Sequence, residues 1–135
     1  MTPTSNRNNE STMNRTAKTS AIQRPRNTHE HYHAHVYFDE GSADHAHNLC
    51  LRAGEAFDIT VGRFHRKLVG PHPEWSCQLS FDSTQFEALI DWLEQNRYSL
   101  TVFVHGLTGD ALDDHTTHAT FLGEPATLNL EVFRQ

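Results

Sequence analysis

The sequence predicts an α+β domain, in which an antiparallel sheet carries two helices on one face. Two periodicities predict it: apolar and polar residues alternate in four places, and two intervening stretches repeat apolar residues every three or four positions. Side chains on a strand point alternately to opposite faces, whereas a helix returns to the same face every three to four residues.

The first strand is read over 31–38, His-Tyr-His-Ala-His-Val-Tyr-Phe. Ala34, Val36 and Phe38 want a core, which sends His33, His35 and Tyr37 to the opposite face. Ala43, Ala46, Cys50, Ala53 and Phe57 then mark one side of a helix of about four turns. Asp58 to Phe64 alternates again, with Ile59 and Val61 on one face, and Gly70-Pro71-His72-Pro73 forces a stiff turn. Trp75 to Phe81 is the third strand, with Cys77, Leu79 and Phe81 inward. A capping box at Thr84-Gln85-Phe86-Glu87 opens a second helix, whose buried stripe is Phe86, Leu89, Ile90 and Leu93. In the fourth strand, Leu100 to His105, Leu100, Val102 and Val104 face the core, and Thr101, Phe103 and His105 face away.

The order is β-α-β-β-α-β, the split, ferredoxin-like arrangement. Beyond it, Asp113 or Asp114 is expected to cap a short helix through His115 and His118 to Gly123. Leu128, Leu130 and Val132 suggest a short final strand. Residues 1–28 are polar and poor in apolar side chains, so they are expected to form a disordered tail, with a single domain over 29–135.

Composition narrows the function. Residues 1–30 hold five Lys/Arg against two Glu, so the rest of the chain carries −9 within a net charge of −6. An acidic body repels phosphate backbones and anionic membrane surfaces, and no nucleic-acid partner is expected. No apolar run approaches the roughly 18 residues of a membrane span, and no signal-peptide core is present, so a cytoplasmic protein with no membrane partner is expected. Cys50 and Cys77 read as reduced core residues. Phosphate-binding glycine loops and the serine-hydrolase elbow are absent from the sequence.

The 11 histidines stand out. In the predicted sheet the first and fourth strands are antiparallel neighbours, which brings His33 and His35 close to His105 on the face without helices. Two His at i and i+2 with a third on the adjacent strand suit a metal ion such as iron, zinc, copper or nickel. Glu131 is the carboxylate candidate if the site is a two-His-one-carboxylate triad. His65 and His72 flank the turn after the second strand, and prolines restrain His72 on both sides, as suits a general acid or base. His115 follows two aspartates at a helix start and is a second acid-base candidate. The competing reading is a non-catalytic dimeric module that binds a small aromatic or a protein partner through this His-rich face.

Five segments carry a resemblance: His33-Ala-His-Val-Tyr-Phe-Asp39, Gly62-Arg-Phe-His65, Val69-Gly-Pro-His-Pro73, Val104-His105 with Thr108-Gly-Asp110, and Asp114-His-Thr116. In this order they resemble the small DOPA 4,5-dioxygenase family of bacteria and fungi. The resemblance implies a ferredoxin-like homodimer that opens the ring of a catechol with O₂ and non-haem Fe(II). On it, His33, His35 and His105, with Glu131 in place of one of them as the variant, would hold the metal, and His72, His115 and His65 are the catalytic candidates. The chain departs from the family pattern at Arg66-Lys67-Leu68 and at Gly106-Leu107, both beside candidate histidines.

Overall fold

The computed structural model describes residues 24–133. In chain order these form β1 (His31–Phe38), a 3-10 turn (Glu40–Ser42), α1 (Ala43–Ala56), β2 (Thr60–His65), β3 (Trp75–Asp82), α2 (Ser83–Asn96), β4 (Val102–Gly106), α3 (Ala111–Asp114), β5 (Ala119–Leu122) and a second 3-10 turn (Leu130–Phe133). The sheet order is β2-β3-β1-β4-β5, with each neighbouring pair antiparallel. The first four strands have the predicted ferredoxin-like order, and β5 extends the sheet beside β4.

Both long helices cover one face. Ala46, Leu49, Cys50 and Ala53 of α1 and Phe86, Leu89, Ile90 and Leu93 of α2 meet Ala34, Val36, Phe38, Leu79, Val102 and Val104 of the sheet in one buried cluster. Cys50 and Cys77 are free thiols inside it. Leu89 is fully buried. Leu89→Ala is expected to cost about 2–5 kcal/mol of stability. A urea transition whose midpoint drops while its slope holds checks this, and an unchanged midpoint contradicts it.

Four local readings are corrected. The second helix starts at Ser83, one residue before the predicted box, because the Asp82 carboxylate accepts the Thr84 N–H at 2.9 Å and caps it. The short helix α3 ends at Asp114 and is capped by Asp110, whose side chain accepts the Asp113 N–H at 3.1 Å. The segment expected to continue that helix instead pairs with β4 as β5, so Phe121 lies opposite Phe103 and Ala119 opposite His105. The predicted strand through Leu128, Leu130 and Val132 is coil and a 3-10 turn, and the Asn129 N–H donates to the Pro71 carbonyl at 2.8 Å.

The second strand breaks its alternation. Val61 lies opposite Leu79 and Phe64 opposite Cys77, so Gly62 and Arg63 share one partner position and form a bulge. The extra residue turns Phe64 inward, where it stacks on Phe38 with centroids 4.1 Å apart. It also sends His65 to the face without helices, opposite Ser76.

The expected tail lies outside the described residues as far as residue 23. Residues 24–28 run along the sheet end: Arg24 pairs with Asp91 at 3.3 Å, and the N–H groups of Thr28 and His29 each donate to the Tyr32 hydroxyl at 2.7 Å. Among the described residues, no helix is long and apolar enough to cross a membrane.

Candidate metal centre

The face without helices gathers imidazoles from β1, β4 and two loops. His33 lies directly opposite His105 in the β1–β4 register, and His35 opposite Phe103. One ring nitrogen from each of His33, His35 and His105 lies within 4.8 Å of the others, and the same holds for His35, His72 and His115. His35 belongs to both groups. Its Nε2 is 3.0 Å from Nε2 of His105.

Protonation decides what such a cluster can bind. Burial is the first cause that lowers each basicity here. It acts on His33 together with the nearby His115, and it pushes His35 well below the ordinary range with help from His72 and His105. His72 and His105 are each pushed down to about 4, also by burial first. Their rings are therefore neutral at pH 7, the form that offers a lone pair to a metal. His105 Nδ1 lies 3.0 Å from the Gly106 carbonyl, which can only accept, so Nδ1 carries the hydrogen and Nε2 is the free lone pair. That lone pair faces His35 Nε2 at 3.0 Å. Two nitrogens this close need a proton or a cation between them, and this donor set fits a divalent transition metal.

Loops cover the face. The 69–73 turn places His72 over β1, with its ring 4.1 Å from that of His35, and Gly70 takes the left-handed conformation, φ 58°, that this turn requires. His115 lies 4.2 Å from His105 by ring centroid and 4.9 Å from Phe133 of the closing 3-10 turn. Phe103 forms part of the floor, stacked 6.0 Å from His35 and 5.9 Å from His115. His35, His72 and His105 are only 4%, 7% and 1% exposed, so an ion here is screened from bulk water.

Of the predicted site residues, His33, His35, His105, His72 and His115 converge. His65 shares the face, but β3 separates it from β1, and it belongs to neither group. Its charge nevertheless contributes to lowering His72. Glu131 is exposed on the closing 3-10 turn and is also in neither group. Gly106, one of the departures from the family pattern, packs so closely on the His29 ring that a Cβ would lie 2.3 Å from it. Arg66, from the other departure, lies over Phe64, which packs with the opposite-face core.

Sequence reasoning missed the anchor beneath His115. Asp114 is buried, and its carboxylate accepts the Thr108 hydroxyl at 2.6 Å and the Thr108 N–H at 3.0 Å. Burial works to raise this carboxyl, but the two Thr108 donors outweigh it and hold it below the usual range. The available signal was a Thr and an Asp six residues apart around a helix start. Phe133 was also missed, because the alternation of Leu128, Leu130 and Val132 suggested a strand where the chain forms coil and a 3-10 turn.

The profile of the Dopa 4,5-dioxygenase family matches residues 32–132, which include all five converging histidines. The chain belongs to the Dopa 4,5-dioxygenase family. It is 31% identical over 108 residues to a DOPA 4,5-dioxygenase of Amanita muscaria, covering 73% of this chain and 47% of that protein. It is 32% identical over 116 residues to a 21.2 kDa protein of Botryotinia fuckeliana, covering 77% and 63%. The chain thus spans about half to under two thirds of these curated relatives. The crystal structure of a candidate dioxygenase from Nostoc punctiforme superposes with a TM-score of 0.76 at 40% identity, covering 78% of this chain and 92% of that one.

Proposed function

We propose that this member of the Dopa 4,5-dioxygenase family is an extradiol ring-cleaving enzyme that acts on DOPA or a related catechol with O₂ and non-haem Fe(II). The observation that carries the reading is the convergence of His33, His35 and His105, neutral and mostly buried, on one point of the sheet face. Fe(II) held there would supply a redox-active Lewis acid that brings catechol and O₂ together. Both oxygen atoms enter the product, so the reaction needs no external reductant.

The chain's own residues do the rest. Phe103, Tyr37 and the 69–73 turn exclude water, which strengthens each polar contact inside. His72 or His115 takes a proton from the catechol and returns one later, since both lie beside the convergent nitrogens. Asp114, held by Thr108, fixes the segment that carries His115. His65 and Glu131, in neither convergent group, take no part in these proton transfers. The protein is read as a cytoplasmic homodimer, in line with the family resemblance.

The test is anaerobic loading of the full chain with Fe(II), followed by a catechol and air. A yellow ring-cleaved product that forms with one O₂ consumed per substrate is expected. Failure to retain iron, or retention without reaction of any catechol, would reject the proposal.

A further inference from the structure

The two histidines left open as acid or base are not equivalent, because different groups hold their Nδ1 atoms. His72 Nδ1 lies 2.7 Å from the Tyr37 hydroxyl. His115 Nδ1 lies 2.8 Å from the Ala111 carbonyl. A carbonyl only accepts, so His115 carries a hydrogen on Nδ1, and the lone pair of its neutral form is on Nε2.

Tyr37 is the opposite case. Its side chain is 2% exposed, and among the described residues the hydroxyl has no other hydrogen-bond partner than His72. A buried O–H that donates to nothing is costly, so the hydroxyl hydrogen points at Nδ1. An imidazole that accepts at Nδ1 and is neutral carries its hydrogen on Nε2.

We infer that Tyr37 is a positioning residue that fixes His72 as an Nε2–H donor, so that His72 supplies a hydrogen bond to a substrate oxygen while His115 alone acts as the base. This rests on the ring-cleavage reading for its catalytic meaning. The proton leaving the catechol hydroxyl goes to Nε2 of His115, which becomes imidazolium, and the same proton is available for return. His72 gives up no proton and only polarises.

A second consequence separates the two convergent groups. A His72 that accepts at Nδ1 and is protonated at Nε2 has no lone pair for a cation, which removes it from the His35, His72, His115 group. The ligand set is then His33, His35 and His105, each with a nitrogen to offer.

Long-range proton–nitrogen correlation spectra of the ¹⁵N-labelled full chain, metal-free and then loaded with diamagnetic Zn(II), read the tautomers directly. His72→Gln and His115→Gln identify the signals. The expected result is Nε2–H for His72 in both samples and Nδ1–H for His115. Tyr37→Phe should release His72 into a mixture or into Nδ1–H. With iron and a catechol, the same variant should lower kcat about 10- to 100-fold, the range for an outer partner of a site histidine, while iron content and KM hold. Nδ1–H on His72 in the wild type, zinc bound to His72, or a tautomer unmoved by Tyr37→Phe would each overturn the inference. The spectra need no turnover. A wild type that cleaves no catechol therefore rejects the ring-cleavage reading, and leaves the tautomer assignment to stand or fall by itself.

Discussion

Replacing His35 with alanine is expected to abolish metal retention and to reduce ring cleavage by more than about 100-fold, the upper end for losing a mere outer-shell partner. The magnitude follows from the position of His35, the one residue shared by both convergent groups. Loss of His33 or His115 breaks only one group each, whereas loss of His35 breaks both. The substitution also leaves the His105 Nε2 lone pair without the nitrogen it faces at 3.0 Å. Folding should survive, because Ala34 and Val36, on the other parity of β1, hold the helix-side core. Iron analysis after dialysis, alongside a thermal melt, separates the effects. Stoichiometric iron in a folded His35→Ala protein would place the ion elsewhere. Loss of iron in His115→Ala but not in His33→Ala or His105→Ala would move the centre to the second group.

The sheet was legible because a strand writes its two faces into the sequence with a period of two. The alternation at 31–38 put Ala34, Val36 and Phe38 with the helices and His33, His35 and Tyr37 opposite, and the antiparallel register places His105 across from His33. The parity argument failed at β2, where the bulge at Gly62 and Arg63 shifts every later residue to the other face. A bulge leaves no periodic trace, and the glycine there was read only as part of a motif.

The cover of the site was the part that could not be read. The 69–73 turn, α3 and the closing 3-10 turn owe their places to single contacts, such as the Asn129 N–H on the Pro71 carbonyl and the Thr108 clamp on Asp114. Such contacts have no spacing rule that a sequence displays. The face therefore looked open and polar in the sequence, whereas in the fold His35, Tyr37 and His105 are nearly inaccessible. That enclosure is what holds the imidazoles neutral, and it links the loops to the chemistry.

The same enclosure makes the metal-free protein acid-labile in a defined window. The unfolded chain titrates its histidines near 6.5, whereas folded His72 and His105 are held down to about 4 and His35 well below its ordinary value. Between those limits the unfolded state binds protons that the folded state refuses, so stability is complete above about pH 6.5 and falls as the pH drops towards 4. A histidine held down in this way contributes about 1.4 kcal/mol per pH unit inside its window, so His72 and His105 together are worth several kcal/mol between about pH 6.5 and 4, and His35 adds in the same direction. Asp114 does not mimic this window, since it is held below its usual range and its contribution is lost only at lower pH. Urea unfolding of chelator-treated protein at pH 7, 6 and 5 should show a midpoint that falls at each step. His105→Gln, which removes one of these groups and relieves His35 of its neighbour, should flatten the slope. A midpoint constant from pH 7 to 5 would mean that these imidazoles are not held neutral by the fold, and with that the physical case for a ready-made metal centre on this face would fail.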